Sequence, residues 1–172
     1  IFGSALGFSA ADLTLVGGDT DVTPDAGKTS ASRQTFVSGN AARQSGEAMR
    51  AKILSQVDAS KEAEIAFGDG TLTVSDGDRQ HVIDLRTLPP DNEGYVITST
   101  GRYDPPTKPL DKNGQGAPYA QFGYAAQLAV VEVDLALGTT RPIRFVAAHD
   151  VGKAINPVLV EGQVQGGIAQ GL

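Results

Sequence analysis

Ala125-Ala126-Gln127-Leu128-Ala129-Val130-Val131-Glu132-Val133-Asp134, then Leu137-Gly138-Thr139-Thr140, then Ile143 to Ala148: this stretch decides the fold. The first run is valine-rich and alternates in part between apolar and polar positions, as a half-buried strand does. The four-residue break holds a glycine, and the second run is again rich in β-formers. Together they predict an antiparallel hairpin. Asp150-Val151-Gly152 ends it. Asn156-Pro157 suits a helix start, because Pro at the first helical position loses only an N–H that has no intrahelical partner there. Val160, Val164, Ile168 and Leu172 then recur on one helical face.

Working back from the hairpin, Asp104 to Pro118 holds four of the nine prolines together with Gly114 and Gly116, and is predicted as a surface loop. Tyr95 to Tyr103 is expected to be a strand. His81 to Leu88 is expected to be a strand entering a short helix. Ile65-Ala66-Phe67 and Leu72-Thr73-Val74, joined by Gly68-Asp69-Gly70, predict a second hairpin. Phe36, Val37, Ala41, Ala48, Ile53 and Leu54 recur near 3.6 residues, so a helix is expected from about Ser32 to Val57. Gly39 and Gly46 either weaken that helix or let another element approach it. Asp19 to Lys28 is a loop, and Leu13 to Val16 a short β-leaning run. Hairpins mixed with long helices make this an α+β fold with a mixed or antiparallel sheet, rather than regular βαβ units. Residues 1–172 form one domain, divisible into subdomains of about 1–90 and 91–172.

Composition narrows the function classes. Apolar residues make up 40%, enough for a core, and no run approaches the roughly 20 apolar residues that cross a bilayer. The net charge is -6 and the 14 Lys and Arg are scattered, so nothing favours nucleic acid. There is no cysteine, which excludes disulfides, iron–sulfur ligation and a zinc thiolate site in this chain. The two histidines, His81 and His149, are far apart, so a metal ligated by the protein itself is not expected. Glycine is abundant at 21 residues, against a usual share of about 7%.

Two segments carry candidate chemistry. Asp25 to Gln34 (D-A-G-K-T-S-A-S-R-Q) precedes the long helix, where unpaired N–H groups and the helix dipole favour an anion. Two readings stand there: a phosphate site built from Ser30 to Gln34, or simple N-capping by Ser30 or Ser32. The segment is neither a Walker loop nor a dinucleotide fingerprint. In the C-terminal helix, Gly162, Gly166 and Gly167 keep one face bare, and Gln163 offers an amide donor and acceptor. That face suits a flat ligand, or equally a glycine-mediated helix contact.

His149-Asp150-Val151-Gly152-Lys153-Ala154-Ile155-Asn156-Pro157, with Glu161-Gly162-Gln163-Val164-Gln165-Gly166-Gly167-Ile168-Ala169-Gln170-Gly171, resembles the D-x-G-x-x-x-N-P … G-Q-x-x-G-G-x-x-Q-G signature of molybdenum hydroxylases, the xanthine dehydrogenase and aldehyde oxidoreductase family. Gly18 to Pro24, then Ser32-Arg33-Gln34 and Ser38-Gly39-Asn40-Ala41, is similar to the phosphate-contacting loop and helix of that family. Gly116-Ala117-Pro118-Tyr119 and Ala129 to Asp134 fit between them, in order.

The resemblance implies that Ser30, Ala31, Ser32, Arg33 and Gln34 hold the phosphate end of molybdopterin, or of its cytosine dinucleotide form, and that Gln163 contacts the pterin. The two segments would then be walls of one cofactor cleft. It implies a cytoplasmic, multi-subunit oxidoreductase that inserts oxygen from water into a C–H bond of an aldehyde or a purine-like N-heterocycle. A glutamate serves as general base, and iron–sulfur clusters and FAD on other domains or subunits carry electrons away. The chain is expected to be a piece of a longer one: it begins at Ile1, and the G-x-G-E element with the base is expected beyond Leu172. The glutamine-rich and arginine-bearing active-site segments are expected before Ile1. No catalytic residue is assigned within the 172, and the piece alone is expected to be inactive. Glu161 aligns beside the pterin-contacting glutamine rather than with the base. His149 and Asp150 are adjacent on a strand and should face opposite ways, which disfavours an acid–base pair. A different class remains open: a non-catalytic interaction domain that keeps this fold and has lost the cofactor.

Overall fold

Glycine in a helix lets a second backbone come close, and the first half of the chain is built on that. The computed structural model describes residues 1–172 and falls into two compact units, Ile1–Pro105 and Pro106–Leu172. In the first, helix α1 (Phe2–Leu6) ends at Gly7, whose φ of 99° is the left-handed cap that favours glycine. It packs against α2 (Gln34–Gln56). A Cβ at Gly46 would lie 2.7 Å from the Phe2 carbonyl oxygen, and one at Gly39 would lie 2.9 Å from Ile1 Cδ1. Of the two readings of these glycines, the close approach of another element is the one that holds: they form the contact seam with α1. The Arg50 guanidinium, on the same helix, donates to the carbonyls of Leu6, Lys61 and Ala63 and ties α1 to the chain that follows α2.

Strands β1 (Glu64–Gly68), β2 (Thr71–Asp76) and β3 (Arg79–Asp84) form an antiparallel sheet in that order. The β1–β2 loop is Asp69-Gly70, both at positive φ, 50° and 73°. That sign pair belongs to the type I′ turn, whose twist matches the flanking strands. A single 3₁₀ turn, Leu85–Thr87, follows β3, as expected for 81–88. The Asp76 carboxylate accepts from the Ser60 hydroxyl (2.7 Å) and amide (2.9 Å), which hold it below its ordinary pKa. Leu6, Ile53, Leu54, Ala63, Ile65, Leu72 and Val74 make the core. Burying each of the larger ones stabilises the unit by about 1.5–3 kcal/mol.

Residues 95–103 are not the expected strand. They run along α2, their polar groups satisfied by helix side chains rather than by a ladder. Lys52 Nζ donates to the Thr98 carbonyl, the Ser45 and Ser99 hydroxyls lie 2.9 Å apart, and Phe36 and Tyr103 meet edge to face at 5.6 Å. Gly101 is pressed onto the Ala41 carbonyl, where a Cβ would collide. Gly101→Ala should lower stability by about 1–3 kcal/mol through overpacking, read as a drop in Tm. Nor is Leu13 to Val16 a strand. No neighbour supplies a ladder, and Leu15 is 93% exposed.

In the second unit, the proline-rich loop closes on one bridge, Lys108 to Ala117, with Gly116 packed against Pro109. Strands β4 (Tyr124–Asp134) and β5 (Thr139–Asp150) pair antiparallel, longer than the sequence pattern implied. The Asp134 carboxylate caps the turn through the amides of Ala136 and Leu137, and Gly138 takes the left-handed position at φ 65°. The register slips between Val130↔Arg144 and Val131↔Pro142, leaving Ile143 unpaired. A bulge there accommodates Pro142, which has no N–H to give the ladder. Helix α3 (Pro157–Gly171) begins as expected.

The units differ in character. The first carries fifteen acidic and nine basic residues, the second five of each. Every core residue lies in the first; none of residues 106–172 is buried. Both faces of the β4–β5 ribbon carry large apolar side chains, Leu128, Val130 and Val146 on one, Val131, Val133 and Phe145 on the other, none less than 37% exposed. No helix is long and apolar enough to cross a membrane.

Candidate functional site

The turn before α2 departs from ordinary capping. Arg33 occupies the N-cap position, at φ -109°, and no side chain caps the helix. The capping expected of Ser30 or Ser32 does not form. Its physical reason is the backbone: Ala31 and Ser32 stand at φ 58° and 49°, both left-handed. Two consecutive residues with side chains in that region cost roughly 1–3 kcal/mol each, and such strain gathers at ligand clamps and switch regions. Gln34, the first helical residue, spends its amide on the Ser38 hydroxyl at 2.8 Å. The leading amides of a 23-residue helix are therefore uncapped by side chains, with a half-buried arginine at their head. Uncapped amides and a guanidinium are the donors a phosphate needs.

The C-terminal signature separates into two sets of residues. The first set does joinery. Asp150 accepts from the Gly152 amide at 3.0 Å, and Gly152 turns the chain out of β5 at φ 60°. Asn156 caps α3 by accepting from the Leu159 amide at 3.1 Å, with Pro157 at the first turn. The second set has no such task. Apart from the adjoining backbone of α3 itself, Gly162, Gly166 and Gly167 have no atom of the chain within 4 Å of where a Cβ would sit. This is the reverse of Gly39, Gly46 and Gly101, each held against the protein's own atoms. Each interior helical glycine costs about 1 kcal/mol relative to alanine, and nothing within the unit offsets it here. They open a groove of about 380 Å³ along α3, lined by Leu159, Gly162, Gln163, Gly166, Gly167 and Gln170.

Val160, Val164 and Ile168 are half-buried on another side of α3, while Leu172 stays 70% exposed and drops out of the expected stripe. His149 and Asp150 do not pair. The His149 ring meets Gln127 across the ribbon at 3.1 Å, while Asp150 serves Gly152. Ser30 to Gln34 lie in the first unit and Gln163 in the second. Sequence reasoning quoted Gln170 within the signature but gave it no role, although its spacing of seven from Gln163, two helical turns, marks it.

The model of the molybdopterin cofactor-binding domain matches residues 1–172, and the chain belongs to that family, within the molybdenum hydroxylases. Over 99% of its length it is 29% identical to the carbon monoxide dehydrogenase large chain of Afipia carboxidovorans, covering 21% of that protein. The corresponding chain of Hydrogenophaga pseudoflava is 27% identical over the same shares. Aldehyde oxidase 1 of Bos taurus is 34% identical over 47% of this chain and 6% of its own length. The chain thus spans about a fifth of the carbon monoxide dehydrogenase large chains it matches.

Proposed function

We propose that this chain is a cofactor-binding part of a molybdenum hydroxylase subunit, with candidate contacts in each of its two units. Ser30, Ala31, Ser32, Arg33 and Gln34 hold the cofactor's phosphate end, in the mononucleotide or cytosine dinucleotide form, through helix amides, hydroxyls and the Arg33 guanidinium. Gln163 hydrogen-bonds a pterin edge, and the bare glycines let the ring lie against the α3 backbone. The observation that carries this reading is the open glycine face of α3, whose cost the chain's own packing does not offset. The bound cofactor supplies a two-electron redox centre at which oxygen from water reaches carbon.

The complete enzyme, on this reading, hydroxylates an aldehyde or an electron-poor N-heterocycle. Electrons pass to iron–sulfur and flavin centres on other domains or subunits. A second substrate reading, carbon monoxide, is favoured by coverage: the relatives matched over 99% of this chain are those named for that gas. The complete subunit, expressed in a host that makes molybdopterin, should copurify with molybdenum and pterin in near-equal amounts. A subunit carrying neither would support the non-catalytic interaction domain instead. Turnover with aldehydes, N-heterocycles and carbon monoxide, measured on that loaded enzyme, separates the substrate readings.

A further inference from the structure

We infer that Gln170 is a second hydrogen-bonding contact to the cofactor, at the far end of the α3 groove from Gln163; this rests on the cofactor-binding reading above. At about 100° per residue, seven positions bring Gln170 back to within roughly 20° of Gln163 around the helix axis, and about 10.5 Å along it. Both side chains line the same groove, and both are exposed. Gly166 and Gly167 lie between them, with open space where a Cβ would be. An amide thus stands at each end of a floor made of backbone.

That arrangement fits one ligand chemistry: a planar fused-ring heterocycle, face against the glycines, with hydrogen-bonding groups on opposite edges. A carboxamide presents a donor and an acceptor together, and so can pair with a ring edge that alternates N–H, C=O and ring nitrogen. A charged side chain could pair with only half of such an edge. Leu159 adds an apolar border at the N-terminal end of the groove. Gln165, by contrast, projects about 160° from Gln163 and about 140° from Gln170 around the helix, and does not line the groove.

The test uses the complete molybdenum subunit, with Gln170→Ala, Gln163→Ala and Gln165→Ala compared with wild type. Pterin per polypeptide and the rate of pterin release under mild chaotrope are read alongside Tm. Gln170→Ala should speed release about two- to tenfold, the range for one neutral hydrogen bond, with Tm unchanged. Gln170→Glu, which keeps the acceptor and loses the donor, should fall between wild type and alanine. Gln165→Ala should release at the wild-type rate. Wild-type release from Gln170→Ala, with fast release from Gln163→Ala, overturns the role of Gln170 and leaves the cofactor reading standing. A matched fall in Tm would make Gln170 structural and also overturn it. Absence of pterin from the wild-type subunit overturns both.

Discussion

In the complete molybdenum subunit, Arg33→Ala should weaken cofactor binding by about 1.5–3 kcal/mol, roughly tenfold to more than a hundredfold, the range for a hydrogen bond to a charged group. Stability should hardly change. Arg33 contributes its carbonyl to α2 by accepting from the Val37 amide at 2.9 Å, and that bond belongs to the backbone, which alanine keeps. Its side chain caps nothing. The guanidinium therefore has no structural bond to lose at this helix end, and the variant isolates the ligand's share. Arg33→Lys keeps the charge but not the planar fork, so it should retain part of the affinity. Added salt should narrow the gap between wild type and Arg33→Ala, because a partly exposed charge contact is screened over about 10 Å at 0.1 M. Molybdenum and pterin per polypeptide, set beside Tm, decide the matter. A Tm that falls in step with occupancy would mean that Arg33 supports the fold instead.

Elements announced by local chemistry were legible in the sequence. Asn156-Pro157 carries its own cap and its own preset φ, and the helix starts there. Asp69-Gly70 can adopt two positive φ angles in succession, and the β1–β2 hairpin follows. What the sequence hid were choices made by neighbours. The α2 face was sought among apolar residues, yet Ala48 is exposed, and the buried seam runs Gly39, Gly46, Ile53 at intervals of seven. The glycines offered close approach as one reading, but that α1 is the element which approaches is set by packing that hydrophobic periodicity does not encode. Residues 95–103 have strand-like composition, but Gly101 and Ser99 take their partners from α2. Ser30 and Ser32 have capping chemistry, but the left-handed backbone at Ala31 and Ser32 leaves Arg33 at the cap position. The site was legible for a different reason. Gln163 and the glycines around it, the candidate residues, recur at helical spacing, a pattern that survives in one dimension because α3 is a single unbroken helix.

Gly166→Ala with Gly167→Ala should move two quantities in opposite directions. Alanine outranks glycine in a helix by about 1 kcal/mol per position, so α3 should gain roughly 2 kcal/mol of intrinsic helix stability. Within this chain nothing opposes the gain, since each new methyl group enters open space. If the glycines exist to let a ring lie on the α3 backbone, the same methyls stand where the ring must be. Overpacking costs about 1–3 kcal/mol for each intruding group. The pair should then lower cofactor affinity about thirtyfold or more, with molybdenum and pterin lost together. A more helical protein that binds its cofactor worse is hard to produce by any general damage to the fold. Gly101→Ala gives the contrast: there the methyl meets the Ala41 carbonyl, and stability itself should fall. Occupancy that holds while stability rises would mean that the α3 glycines face nothing the cofactor needs. A fall in Tm for the double variant would mean that they seat another polypeptide surface.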